Sequence, residues 1–208
     1  MLPIAAEGWG FILVPLVLAL LLAWTGWIKA ALLLGVVAAF MVFFFRDPNR
    51  LTPIVPGAIL APADGRVMEV RTGVDDPFVG SAQAVSIFLS PLDVHVNRSP
   101  LAGLVVGVEY RPGAKMAAYR PEASERNERT TITIQGEAGR VVVRQIAGVL
   151  ARRIVCRIRP GDKLASGERF GLIKFGSRTD LIVPAAVRLR VKTGDRVVGG
   201  QTVMGVLQ

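Results

Sequence analysis

Two apolar runs, Gly10 to Trp27 and Ile28 to Phe45, open the chain, and Lys29 is the one charge they contain. Each is at the short end of the roughly 17–25 residues that cross a bilayer as a helix. Between them, Trp24-Thr-Gly-Trp-Ile-Lys29 combines a small residue with aromatics suited to an interface, which predicts a turn. Residues 1–45 therefore read as a hydrophobic helical hairpin, either two thin spans or a re-entrant pair. No basic residue precedes the first run and no small-residue cleavage site divides it from the second, so the hairpin is expected to stay attached rather than leave as a signal peptide.

The pattern changes beyond Pro53. Short apolar or alternating stretches such as AVSIFLSP, TTITIQ, GRVVVRQIAG and AVRLRVKTG recur between glycines and prolines, which predicts a mainly β domain over 46–208. Residues 114–129 lack strand alternation and contain Pro121, so they read as a loop with at most one helical turn. Gly161-Asp-Lys-Leu-Ala-Ser-Gly167 and Gly194-Asp-Arg-Val-Val-Gly-Gly200 share one spacing and predict two similar turns packed as pseudo-symmetric partners. Turns of this kind recur in barrel-sandwich domains, where Gly supplies left-handed backbone angles and Asp caps the turn.

Charge refines this picture. The first 45 residues hold only Glu7 and Lys29, so the β domain carries the whole formal net charge of +9. Arg46 and Arg50 follow the second run, which places the β domain on the cytoplasmic side of a cell membrane by the positive-inside tendency. A basic domain suits nucleic acid or anionic lipid. Beside a membrane hairpin, lipid headgroups are the better match, at about 1 kcal/mol per nearby cation, and no nucleic-acid partner is expected. The single cysteine, Cys156, excludes an intrachain disulfide framework and a cysteine-clustered metal site.

Candidate chemistry is sparse. There is no G-x-S-x-G elbow, no H-E-x-x-H, no P-loop and no dinucleotide fingerprint. The one histidine lies in Phe88-Leu-Ser-Pro-Leu-Asp-Val-His95-Val-Asn-Arg-Ser-Pro100, where Asp93, His95 and Asn97 would share one face of a strand. Ala61-Pro-Ala-Asp64-Gly65 brackets a carboxylate in a tight turn, and Ile173-Lys-Phe-Gly176-Ser177 sets a Gly-Ser pair after an apolar strand. Each alone is as well explained by an ordinary turn or a packed side chain.

Together with FFRDP at 44–48, NER at 127–129, QIAG at 145–148 and ARRIVC at 151–156, these stretches resemble the phosphatidylserine decarboxylase family in its short form. The resemblance runs in order through nearly the whole β domain. It implies a proenzyme that breaks its own Gly176–Ser177 bond, giving a large chain of residues 1–176 and a small chain of 177–208 that remain together as a heterodimer, with a higher homo-oligomer left open. Asp64, His95 and Ser177 would form the self-processing triad, and Ser177 would become a covalent pyruvoyl group, the only cofactor expected, with no metal. That carbonyl would form a Schiff base with the amine of phosphatidylserine and let carbon dioxide leave, with His95 returning the proton. Arg98 stands where many longer members have a second His, and is the candidate cation for substrate phosphate or carboxylate. Two other readings stay open on the residues alone. One is a membrane-tethered scaffold or carrier of the lipoyl type, but a carrier would show its lysine at a hairpin tip, whereas Lys115-Met116 sits in the loop-like stretch. The other is a serine protease pairing Ser177 with Lys174.

Overall fold

The structure is a computed structural model of the 208-residue chain and describes residues 4–120, 122–137, 139–149, 153–174 and 176–207. Pro121 and, within the quoted motifs, Ala151, Arg152 and Phe175 lie outside the described residues. The chain divides into two compact units, Met1–Asn49 and Arg50–Gln208.

The first unit is a helical pair, α1 (Trp9–Trp24) and α2 (Ile28–Phe44), packed on each other. Gly26, at φ +84°, takes the left-handed conformation that ends α1, and Trp27 N–H closes back on the Leu22 carbonyl at 2.8 Å. The turn thus falls where the small residue predicted it. Ala6–Trp24 is long and apolar enough to cross a membrane, whereas Ile28–Phe44 is shorter. Apart from Lys29 at the start of α2, both helices are apolar all round, with side chains such as Leu20, Leu32 and Val36 exposed, a pattern foreign to a helix packed on a soluble core.

Among the described residues, the second unit has fourteen strands: β1 (Ala58–Leu60), β2 (Gly65–Asp76), β3 (Gly80–Leu89), β4 (Val96–Arg98), β5 (Gly103–Arg111), β6 (Arg129–Gly136), β7 (Gly139–Ala147), β8 (Ile154–Cys156), β9 (Lys163–Leu164), β10 (Arg169–Ile173), β11 (Ser177–Pro184), β12 (Val187–Leu189), β13 (Arg196–Val197) and β14 (Val203–Leu207). A one-turn helix, α3 (Ala123–Arg126), lies in the stretch expected to be loop-like. All pairings between these strands are antiparallel. The large sheet has the order β13-β2-β3-β11-β7-β6-β5-β9, and the small ones are β1-β14-β12 and β4-β10-β8.

These orders contain a duplication. Strands β1, β2, β3, β11, β12, β13 and β14 pair among themselves as β4, β5, β6, β7, β8, β9 and β10 do, and β11 meets β7 between the halves. The inner repeat, β4–β10, is inserted into the outer repeat between β3 and β11. The two glycine-rich turns occupy equivalent places. Gly161 N–H donates to Val105 O and Gly194 N–H to Val67 O, both at 2.8 Å, while Arg159 N–H and Lys192 N–H donate to Oδ2 of Asp162 and Asp195, both at 2.8 Å. The core draws on both repeats, for example Val67 with Val105 and Ile87 with Ile134, all essentially inaccessible.

Candidate active site

Ser177 is the first residue of β11 and sits between Leu89 of β3 and Ala147 of β7. Gly176 before it has φ +62°, a left-handed conformation that glycine adopts without steric cost. Ser177 is wholly buried, and its Oγ has no hydrogen-bond partner among the described residues. A buried hydroxyl without a partner costs about 1–3 kcal/mol, so the position calls for an explanation other than packing alone.

His95 is also wholly buried. Its Nδ1 lies 3.0 Å from the Asp93 carbonyl oxygen, which can only accept, so Nδ1 carries the proton and Nε2 the basic lone pair. The His95 carbonyl accepts from Ile173 N–H at 3.2 Å, tying it to the strand that runs on to Gly176 and Ser177. The local structure differs from the alternating strand expected here. Pairing begins only at Val96, because Asp93 turns back to accept from Ser90 N–H at 2.8 Å and from Arg196 Nη2 at 2.8 Å. Both sets of the alternation are buried, Val94 and Val96 as well as Asp93, His95 and Asn97.

Asp64 is placed by its glycine. Gly65, at φ +151°, packs so closely on β3 that a Cβ there would stand 2.1 Å from the Phe88 carbonyl oxygen. The Asp64 carboxylate is not hydrogen-bonded to His95. Arg50 binds it through two donors, at 2.5 and 2.7 Å, and Gly199 N–H adds a third at 2.8 Å. Arg50 is nearly inaccessible and also donates to Gly199 O at 2.6 Å. In sequence Arg50 registers only as a charge after the apolar hairpin. Arg98, expected near the substrate, is buried where the two repeated turns end. Its Nη1 donates to Gly167 O at 3.2 Å, and a Cβ on Gly200 would stand 2.9 Å from its Cδ.

A polar network shares the face of β11 that carries Ser177. Asn97 Nδ2 donates to Thr179 Oγ1 at 3.1 Å, and Gln145 Nε2 donates to Asn97 Oδ1 at 2.9 Å. Both members of this network beyond Asn97 lay unmarked in sequence as site residues, Gln145 within QIAG and Thr179 in a plain apolar strand. On the opposite face of β11, Arg178 is buried between Asp180, at 2.6 Å, and Ser86, at 2.6 Å. Farther along that face, burial and then the neighbouring Arg111 and Arg144 hold the Arg129 guanidinium below its ordinary pKa. Burial pushes the Cys156 thiol up from its ordinary pKa, which disfavours the reactive thiolate. Among the described residues no group of three or more His, Cys, Asp or Glu could hold a metal ion.

The family model described as phosphatidylserine decarboxylase matches residues 37–205. Among curated proteins, the phosphatidylserine decarboxylase proenzyme of Symbiobacterium thermophilum is 50% identical over 206 residues, covering 98% of this chain and 95% of that protein. The protein of the same description from Chlorobium phaeobacteroides is 43% identical over 209 residues, covering 97% and 98%. That from Burkholderia multivorans is 42% identical over 206 residues, covering 99% and 96%.

Proposed function

Since the chain belongs to the phosphatidylserine decarboxylase family, we propose that it matures by breaking its own Gly176–Ser177 bond and acts through the pyruvoyl group left at residue 177. As a member of that family it is a self-processing enzyme that decarboxylates phosphatidylserine to phosphatidylethanolamine. The observation that carries the maturation reading is the buried, unpartnered Ser177 Oγ directly after a left-handed glycine.

His95 Nε2 takes the Ser177 hydroxyl proton, and Oγ attacks the Gly176 carbonyl carbon. The C–N bond breaks, nitrogen takes up the proton, and an ester joins Gly176 to the Ser177 side chain. Loss of the Ser177 Cα proton then expels the Gly176 carboxylate and leaves dehydroalanine, and water replaces its nitrogen with oxygen as ammonia departs. Asp64 supports the imidazolium that forms at His95, through space or on release from Arg50. The site fits the resulting group: residue 177 starts a strand, is shielded from water, and is followed by Thr179 on the same face. The pyruvoyl carbonyl supplies the electron sink that ordinary side chains lack. Arg98 is the cation assigned to the substrate's phosphate or carboxylate, and His95 delivers the proton that replaces carbon dioxide.

The small chain stays bound after the cut, since β11, β13 and β14 pair with β3, β7, β2 and β1 of the large one. The apolar helical pair holds the enzyme at the cell membrane, with the basic β domain on the cytoplasmic side facing its lipid substrate. Intact-mass measurement of purified wild type and Ser177→Ala, with phosphatidylserine vesicles present, tests the proposal. Two chains divided after Gly176 in wild type, the smaller blocked at its N-terminus, and one uncut chain in the variant are expected. An uncut wild-type chain that still releases carbon dioxide from the lipid would overturn the maturation mechanism.

A further inference from the structure

The scissile carbonyl is not free to choose its position. Gly148, the buried residue that follows β7, lies so close to Gly176 that a Cβ on it would stand 2.1 Å from the Gly176 carbonyl oxygen and 3.1 Å from its carbon. Real Cβ atoms do not approach a carbonyl oxygen this closely, so a side chain at 148 would force one partner to move. Gly148 has little room to retreat. On its N-terminal side, Ala147 N–H donates to Glu128 O at 2.9 Å, and Ala147 O accepts from Asn127 Nδ2 at 2.7 Å. Asn127 is itself wholly buried and bound to both N–H and carbonyl of Met116, at 3.0 and 2.8 Å. The same Cβ would also stand 3.4 Å from Ala118 Cβ. The movable partner is therefore Gly176, on a left-handed turn with open space where its own Cβ would be.

Resting on the self-cleavage reading above, we infer that Gly148 is a positioning residue for maturation: its bare Cα is the surface against which the Gly176 carbonyl seats, in register with the Ser177 hydroxyl. Attack requires Oγ to meet the carbonyl carbon along a narrow approach, and a misplacement of about 1 Å costs about 100-fold in rate. A methyl group at 148 pushes the carbonyl by that order. It leaves His95, Asp64 and Ser177 untouched. It also acts only while the Gly176–Ser177 bond is intact.

The test follows cleavage after Gly176 by intact mass in freshly synthesised full-length chains, comparing wild type, Gly148→Ala, Gly148→Ala with Ala118→Gly, and Ser177→Ala. Gly148→Ala is expected to slow cleavage about 100-fold at every pH, with the pH midpoint of the rate unchanged because the base is intact. In the uncleavable Ser177→Ala background, Gly148→Ala should still melt cooperatively. Removing the Ala118 methyl relieves its contact with the added Cβ at 148, and about a tenth or more of the lost rate should return. Cleavage of Gly148→Ala at the wild-type rate, a shifted pH midpoint, or a cooperatively folded double variant with no recovery would each overturn the inference. A wild type that never cleaves would instead remove the maturation reading on which it rests.

Discussion

The two repeats of the β domain share a backbone and differ in chemistry. In the outer repeat the residue before the close-packed glycine, Gly65, is Asp64, which collects Arg50 and Gly199 N–H. In the inner repeat the equivalent glycine, Gly103, is as tightly packed, with a Cβ that would stand 2.5 Å from Gln135 O. The residue before it is Ala102, exposed to solvent, and the place of Gly199 is taken by Ser166. Here Ala102 and Ser166 border a cavity of about 510 Å³ shared with Thr52, Ile54 and Val55. The close packing of a glycine on the neighbouring strand belongs to the architecture and appears twice. The carboxylate, its arginine clamp and the serine occur in one repeat only. Fold and chemistry are thus separable within one small domain.

The comparison breaks most visibly at Asp64 itself. Asp64→Ala should slow cleavage after Gly176 by at least about 100-fold, in the range expected for loss of acid–base support, while Ala102→Asp should mature at the wild-type rate. A mass-spectrometric time course on both variants decides this. Equal rates for Asp64→Ala and wild type would reduce Asp64 to a structural partner of Arg50.

A smaller effect separates structural from catalytic duty in the same cluster. Arg50→Met strands the mostly buried Asp64 carboxylate. It should cost about 3 kcal/mol of stability, since removing one partner of a buried pair leaves an uncompensated charge. Urea unfolding in the Ser177→Ala background measures it without interference from cleavage. A loss below about 1 kcal/mol, the range of exposed pairs, would mean that water reaches the Asp64 carboxylate once Arg50 is gone.

How far all this was legible in sequence follows the range of the interactions. The helical pair, its turn at Gly26, the mainly β domain and the twin G-D turns are local, and the residues announce them. The Arg50 clamp joins residues 14 apart through an irregular segment, and the Asn97–Gln145 and Asn97–Thr179 bonds join residues 48 and 82 apart. No periodicity reports such pairings. The strand expected around His95 failed for a local reason that sequence underweights, because Asp93 prefers to cap the Ser90 turn over extending a strand. The nested duplication was visible only as two similar turns, since outside them the repeats share shape rather than residues.

Those turns also offer the finest measure of how alike the repeats are. Asp162 and Asp195 make the same bond, Oδ2 to a backbone N–H three residues earlier at 2.8 Å, and both turns close on the neighbouring strand with N–H donors at 2.8 Å. Asp162→Ala and Asp195→Ala should therefore each cost about 1 kcal/mol, the net value of one such hydrogen bond, and the two losses should agree within about 0.5 kcal/mol. Chemical denaturation of both variants in the Ser177→Ala background provides the comparison. Matching losses would establish that the duplication is energetic as well as geometric. A distinctly larger loss at Asp195 would locate the asymmetry in β13, which leads from that turn to Gly199 and the Asp64 carboxylate, and would mean that the outer repeat stiffens its own turn through the Asp64 cluster.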